Sequence, residues 1–341
     1  MLKKNTLILV LILAVCGCDM RVPACPGSLR VAEGDSKTVI IWDSVSTATA
    51  YNIYWGEVPG VTKDNGTRIS NAESPYLHRG LENNTSYYYI ITAENSFGEG
   101  KATTEAKGTP GDLPDPPSDC PSPLDNNTLS ALTILWPFSH LEIMPGQSSS
   151  FQLCLIECCY DIKTVDACVV WSVTPGEGAA IDPITGLFRV DATTPSGTVY
   201  TVMADIEDGR RVLTRDIYVY TPEANPLVGT WREIKQLSCW SGREVVPEHP
   251  IEEIIFYASG DFTVTWYPFE VYVDYWGTYT YDLDSGSLDL EVINGNYIPG
   301  DIDGKGSFHF NDDGELLLEN IWLGIPEGSV TAACGHVLSR N

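Results

Sequence analysis

Positive charge is scarce in this chain: 20 lysines and arginines stand against 46 aspartates and glutamates in 341 residues, a formal net charge of −26. A surface of that sign repels phosphate backbones and anionic headgroups, which excludes nucleic acid as a partner. Histidine is scarce too. The five, His78, His140, His249, His309 and His336, are scattered without metal-ligand spacing, and neither a Gly-x-Ser-x-Gly elbow nor a phosphate-binding loop occurs. Catalysis therefore has no visible machinery, and no enzyme activity, cofactor or metal is expected. Beyond the first twenty residues no apolar run approaches the roughly 20 residues that a membrane-crossing helix needs. From about Val31 onward a sustained 3.6-residue period is also missing, which excludes helical bundles and coiled coils.

What remains is globular and turn-rich. Hydrophobic residues make up 43 % and charged residues 19 %, with 30 Gly and 22 Pro spread along the chain, enough material for two or three domains. Apolar residues alternate at period two, and Gly, Pro, Asn and Asp interrupt them every eight to twelve residues or so. The fold class expected is all-β. Pro-rich segments, which cannot join a ladder, run from Gly108 to Pro117 and from Thr221 to Pro226 and mark the domain boundaries.

The first residues give an address. Lys3 and Lys4 precede an apolar run from Leu7 to Val15, the pattern of a secretion signal over residues 1–17. Val15-Cys16-Gly17-Cys18 resembles the bacterial lipobox. That resemblance implies acylation of Cys18, with Cys16 the weaker choice because Val15 is a poor small residue before the cut. It also implies an exported protein, tied to a bacterial membrane by a lipid anchor on its periplasmic or cell-surface face. With Cys16 and Cys18 set aside, Cys25, Cys120, Cys154, Cys158, Cys159, Cys168, Cys239 and Cys334 remain, an even set suited to disulfides in an oxidising compartment. A zinc knot at Cys154, Cys158, Cys159 and Cys168 is the rival reading, although paired C-x2-C arms are absent.

Three domains follow in order. Over residues 23–110, Trp42, the Tyr51-x-Ile53 alternation, the Leu81-to-Tyr87 spacing and Thr109-Pro110 resemble fibronectin type III. The resemblance implies a tyrosine corner in which Tyr87 is buried and its hydroxyl returns to the backbone near Leu81. After a linker at 111–128, residues 129–221 carry Val170-Trp171-Ser172-Val173 and the turn Thr185-Gly186-Leu187-Phe188, and resemble the bacterial group 2 immunoglobulin-like domain, with Gly186 supplying positive φ. In the same domain Phe151, Leu153 and Leu155 share one strand face, so Cys154 faces the other side, where a hairpin would bring it to Cys168; adjacent Cys158 and Cys159 would then reach other partners such as Cys120.

Residues 226–341 open with Gly229-x-Trp231 and continue through hairpin-like runs to an expected total of eight strands, resembling bacterial lipocalin-like domains. The resemblance implies an up-and-down barrel whose first and last strands are neighbours, so Cys239 and Cys334 are expected to bond, and Arg340 to pack on Trp231. The fold expected is thus two immunoglobulin-like sandwiches in tandem followed by an eight-stranded lipocalin-like antiparallel barrel.

Eleven aromatics fall between Phe256 and Tyr281, among them Trp266, Tyr267, Phe269, Tyr272, Tyr275 and Trp276, which are the candidate ligand-binding residues. Alternation sends about half inward, to fill the barrel or line a cavity for an apolar ligand, and half outward, where rings stack on sugars. The acidic turns at Asp301-x-Asp303 and Asp312-Asp313 are candidate cation loops, although Lys305 stands where a third acid belongs and Asp-Gly is a common hairpin turn. Acid is concentrated here, with 19 acidic and 5 basic residues over 226–341 against 10 and 7 over 23–110. The function expected is a non-enzymatic envelope lipoprotein that binds or adheres to a glycan, lipid or protein outside the cytoplasm. A carrier of an apolar ligand and a purely structural envelope protein are the alternatives.

Overall fold

The computed structural model describes residues 21–27, 29–111, 120–135, 141–156, 162–239, 241–266, 273–324 and 333–340. The signal segment and Cys18 lie outside them, as do Cys158, Cys159, Tyr267, Phe269 and Tyr272. The chain divides into two compact units, Met1–Asp115 and Pro116–Asn341.

The first unit holds a sandwich. One sheet pairs Arg30–Gly34, Lys37–Ile41 and Tyr76–Arg79; the other sets Ala50–Gly56 between Thr67–Ser70 and Tyr87–Asn95, with Gly98–Glu99 and Ala106–Gly108 also on the last. Period-two alternation turns Ile53, Tyr89 and Ile91 inward onto Ile40 and Trp42, and each large apolar side chain so buried contributes about 1.5–3 kcal/mol. Tyr87 is buried and its hydroxyl accepts the Glu82 backbone N–H at 3.0 Å, next to Leu81, as the corner motif requires.

In the second unit a further sandwich has a sheet of Glu142–Ile143, Arg211–Val219, Val199–Ile206 and Val169–Thr174. Two three-stranded sheets oppose it: Ser148–Ser150, Leu187–Val190 and Ala179–Ile181 form one, and Ile162–Thr164, Gln152–Ile156 and Thr133–Leu135 the other. Gly186 has φ +67, and a Cβ there would press on the Phe151 carbonyl and the Trp171 indole, so the expected turn forms for the expected reason. The stretch read as linker ends inside a short helix, Asn126–Ala131. Asp125 caps it by accepting the Asn127 and Thr128 N–H groups at 2.9 and 3.0 Å, and Leu129 and Leu132 enter the sandwich core.

The expected Cys154–Cys168 bridge does not form. Cys168 is bonded to Cys120, while Cys154 is a buried thiol opposite Thr164 and Thr133 in the middle of its sheet. The reason is register: the hairpin sets Cys154 four residues short of Cys168, and the chain entering the domain delivers Cys120 instead. Burial pushes the Cys154 thiol pKa up, against the pull of nearby Arg215.

The chain then closes an eight-stranded antiparallel barrel. Its strands are Gly229–Ser238, Glu253–Phe256, Asp261–Thr265, Tyr275–Asp282, Ser287–Gly295, Lys305–Phe310, Leu316–Glu319 and Ala333–Arg340, each paired with the next. The last pairs back on the first through Trp231 opposite Arg340 and Gln236 opposite His336, which leaves the ring without an edge. A two-residue strand, Glu244–Val245, pairs on the first.

Candidate functional site

Among the described residues, the chain's own rings pack against one another in the barrel core. Phe256, Phe262, Tyr275 and Trp266 follow one another at centroid spacings of 5.8 to 6.4 Å, and Tyr279, Tyr281, Phe308 and Phe310 continue the contact series to Trp231. Their polar ends are taken. Tyr275 donates to the Leu323 carbonyl, Tyr279 to the Tyr257 carbonyl and Tyr281 to the Ala224 carbonyl, each at 2.7 Å. Asn225, from the segment entering the barrel, donates to the Tyr279 hydroxyl at 2.9 Å. Burial drives the Tyr275 and Tyr279 hydroxyls far above the ordinary phenol range, so they stay neutral donors.

The candidate aromatics therefore separate by face. Trp266 and Tyr275 are buried in the interior, whereas Trp276 points outward and is 36 % exposed. Opposite Trp276 the Ser287–Gly295 strand bulges, and exposed Ile293 is the extra residue there. Gly277 is forced by the same geometry, since a Cβ would collide with the Glu291 carbonyl oxygen. The carboxylates of the first acidic turn take donors of the chain itself: Asp301 accepts the Trp322 indole N–H at 2.8 Å, and Asp303 the Lys305 N–H at 3.3 Å. An open recess of about 400 Å³ lies between the Thr280–Asp282 and Ser287–Asp289 segments, rimmed by the Lys305–Asp289 ion pair.

Where the ring closes, two clusters stand out. At one end Trp231 donates its indole N–H to the Leu227 carbonyl at 2.7 Å, and the Arg340 guanidinium lies 5.0 Å from the ring centroid while donating to the Val228 carbonyl at 2.5 Å. Further along, Glu233 and His336 are completely buried, with Oε1 to Nδ1 at 2.5 Å. The His336 Nε2 accepts the Leu323 N–H at 3.1 Å, which puts the ring proton on Nδ1 and makes the pair a neutral imidazole donating to a carboxylate. The Ile251 N–H and the Gln236 amide donate to Glu233 Oε2 at 2.9 and 3.4 Å, and Trp322 stacks on the imidazole at 4.8 Å. Sequence reasoning missed this pair. Its signal was an acid at an inward alternation position, two residues beyond buried Trp231.

A third cluster joins the second sandwich to the barrel. Glu142 accepts the Ala258 N–H at 2.9 Å, and with Tyr220, Tyr257 and Tyr279 among the groups coupled to it, burial lifts its carboxyl pKa to about 7. At the far end of the barrel seam Cys239 and Cys334 come together, but the bond expected between them is not formed. Both are thiols, and the hydrogen bond from Cys334 to the Cys239 sulfur, ahead of burial, pushes the Cys334 pKa up to about 11.

Solved structures similar to this chain contain fibronectin type III domains. They include FN3tt (23 % identity over 27 % of this chain and 100 % of that one, TM-score 0.23) and an Fn3-like protein from Clostridium thermocellum (22 % identity, 28 % and 97 %, TM-score 0.22). The FN1–FN3 domains of chicken CNTN1 match at 13 % identity over 81 % of this chain and 87 % of that one, with TM-score 0.22. No family model matches the sequence, and no curated protein does.

Among the described residues no three His, Cys, Asp or Glu side chains converge as metal ligands. In the first compact unit His78 packs edge-on against Trp55 at 4.7 Å and meets the Tyr89 hydroxyl at 3.1 Å. Among the described candidate aromatics, Trp276 is the exposed one.

Proposed function

We propose that this chain is a non-enzymatic lipoprotein of the bacterial envelope that recognises a glycan or protein ligand through the outer face of its barrel. In this reading Cys18 carries the lipid, a fibronectin type III-like and a bacterial immunoglobulin-like sandwich act as the stalk, and the terminal lipocalin-like barrel is the recognition module. The observation that carries it is that Tyr275, Tyr279 and Tyr281 spend their hydroxyls on backbone carbonyls of the same chain, so a ligand stored against them would have to displace satisfied bonds as well as rings. The acid-rich surface supports solubility and distance from anionic headgroups.

Native mass spectrometry of the full exported chain, purified without detergent extraction of the protein fold, tests the carrier alternative. A bare protein mass is expected; an extra mass that disappears on denaturation and extracts as a lipid overturns the reading in favour of a carrier. The outer face is tested by Trp276→Ala on a glycan array. Loss of at least tenfold in binding at unchanged melting temperature is expected, in keeping with the roughly 1–3 kcal/mol that a stacking aromatic contributes.

A further inference from the structure

The first and last barrel strands pair out of step near their far end. Gln236 lies opposite His336 and Ser238 opposite Ala333, so two steps on one strand span three on the other. Cys239 follows Ser238 into a turn closed by Gly242 N–H to the Ser238 carbonyl at 2.8 Å, and Cys334 follows Ala333. In a regular ladder such diagonal positions stand about 7–8 Å apart, slightly beyond the span of a disulfide. Here the bulge and the turn bring the sulfurs into contact. Among the described cysteines of the same compact unit, Cys120 and Cys168 are bonded to each other and Cys154 is buried within the second sandwich.

We propose that Cys239 and Cys334 are an oxidisable pair whose disulfide fastens the seam of the barrel. The electron balance needs a disulfide-bearing oxidant, for which oxidised glutathione serves. Cys334 donates its S–H to Cys239, and the Cys239 sulfur, after giving its own proton to solvent, makes the first attack. It breaks the glutathione S–S bond, forms a mixed disulfide and releases one glutathione as the thiolate, which takes up a proton. The Cys334 sulfur, losing its proton, then attacks the Cys239 sulfur and releases the second glutathione. Two protein thiols become one disulfide, and one glutathione disulfide becomes two thiols. The bond would tie the two strands whose pairing closes the ring and would cross-link the ends of almost the whole barrel sequence, so its main effect is to restrict the unfolded chain. Neither step depends on where the protein resides, so failure of the lipoprotein reading would leave this inference standing.

The test equilibrates the full chain with oxidised and reduced glutathione, traps free thiols with N-ethylmaleimide and maps the peptides by mass spectrometry. The Cys120–Cys168 bridge in the same sample shows that oxidation was effective. A peptide joining Cys239 to Cys334 is expected, and in Cys239→Ser the same conditions should leave Cys334 alkylated. Alkylation of both Cys239 and Cys334 in a sample whose Cys120–Cys168 bridge is closed overturns the proposal, as does bonding of either to another cysteine. The double variant C239S/C334S is expected to melt on the order of 10 °C below the parent in oxidising buffer and level with it in reducing buffer. The peptide map of the parent protein decides the matter even where the variants fold poorly.

Discussion

Glu142 is a carboxylic acid placed where charge is costly. Its folded pKa of about 7 lies above the ordinary 4.5, so its contribution to holding sandwich and barrel together is complete below about pH 4.5 and fades as pH rises through 7. Glu142→Gln keeps an acceptor for the Ala258 N–H and removes the charge. The variant and parent are expected to have equal stability at pH 5, and the variant to lead by about 1–2 kcal/mol at pH 8, a discounted value because part of the carboxyl meets solvent. Urea denaturation at the two pH values measures it; a gap of equal size at both would mean that ionisation of Glu142 is not the cause. Glu233 and His336 present the opposite case, a buried pair with every polar atom served. His336→Ala strips the carboxylate of its imidazole donor and leaves the Leu323 N–H without an acceptor, and is expected to cost about 3 kcal/mol or more in the same assay.

At the scale of elements, closure depends on positions that look ordinary in one dimension. The strand Tyr275–Asp282 carries Gly277 beside the bulge, where the Glu291 carbonyl occupies the space of a side chain. Gly277→Ala is expected to lower the melting temperature by about 5 °C or more, whereas Gly314→Ala, in an open turn at φ +78, is strained only by its own backbone and is expected to cost less. Calorimetry of the pair separates crowding from conformation. Strand positions were legible because alternation in Phe256, Phe262, Tyr275 and Tyr279 writes the inward face directly into the sequence. The helix Asn126–Ala131 was not, since six residues are too few to display a 3.6 period and its cap, Asp125, reads equally well as a loop residue.

For the whole molecule, the order of sandwich, sandwich and barrel follows from local pattern, while the joints do not. The second sandwich and the barrel fall in one compact unit through contacts such as Glu142 to Ala258 and Asn225 to Tyr279, between segments that sequence reading places on either side of a Pro-rich boundary. The Pro-rich boundary segment is thus bonded to the barrel: Ala224 and Asn225 satisfy the hydroxyls of Tyr281 and Tyr279. The candidate site behaves likewise. That about half of the aromatics face inward could be reasoned from alternation, but that Trp276 faces outward depends on where the strand starts in the ring.

The sequence by itself determined the class of the molecule, because period-two alternation, turn residues and net charge are properties of neighbours along the chain. The Tyr87 corner and the packing of Arg340 on Trp231 were expected from family resemblances, and both contacts are present. Only the tertiary structure decided the partner of Cys168 and the burial of Glu233 with His336. Each of these is a meeting of residues far apart in the chain. Such meetings are fixed by strand register and by the bulges that shift it, and a shift of one residue changes which side chains touch without altering the hydrophobic pattern by which the strands were recognised.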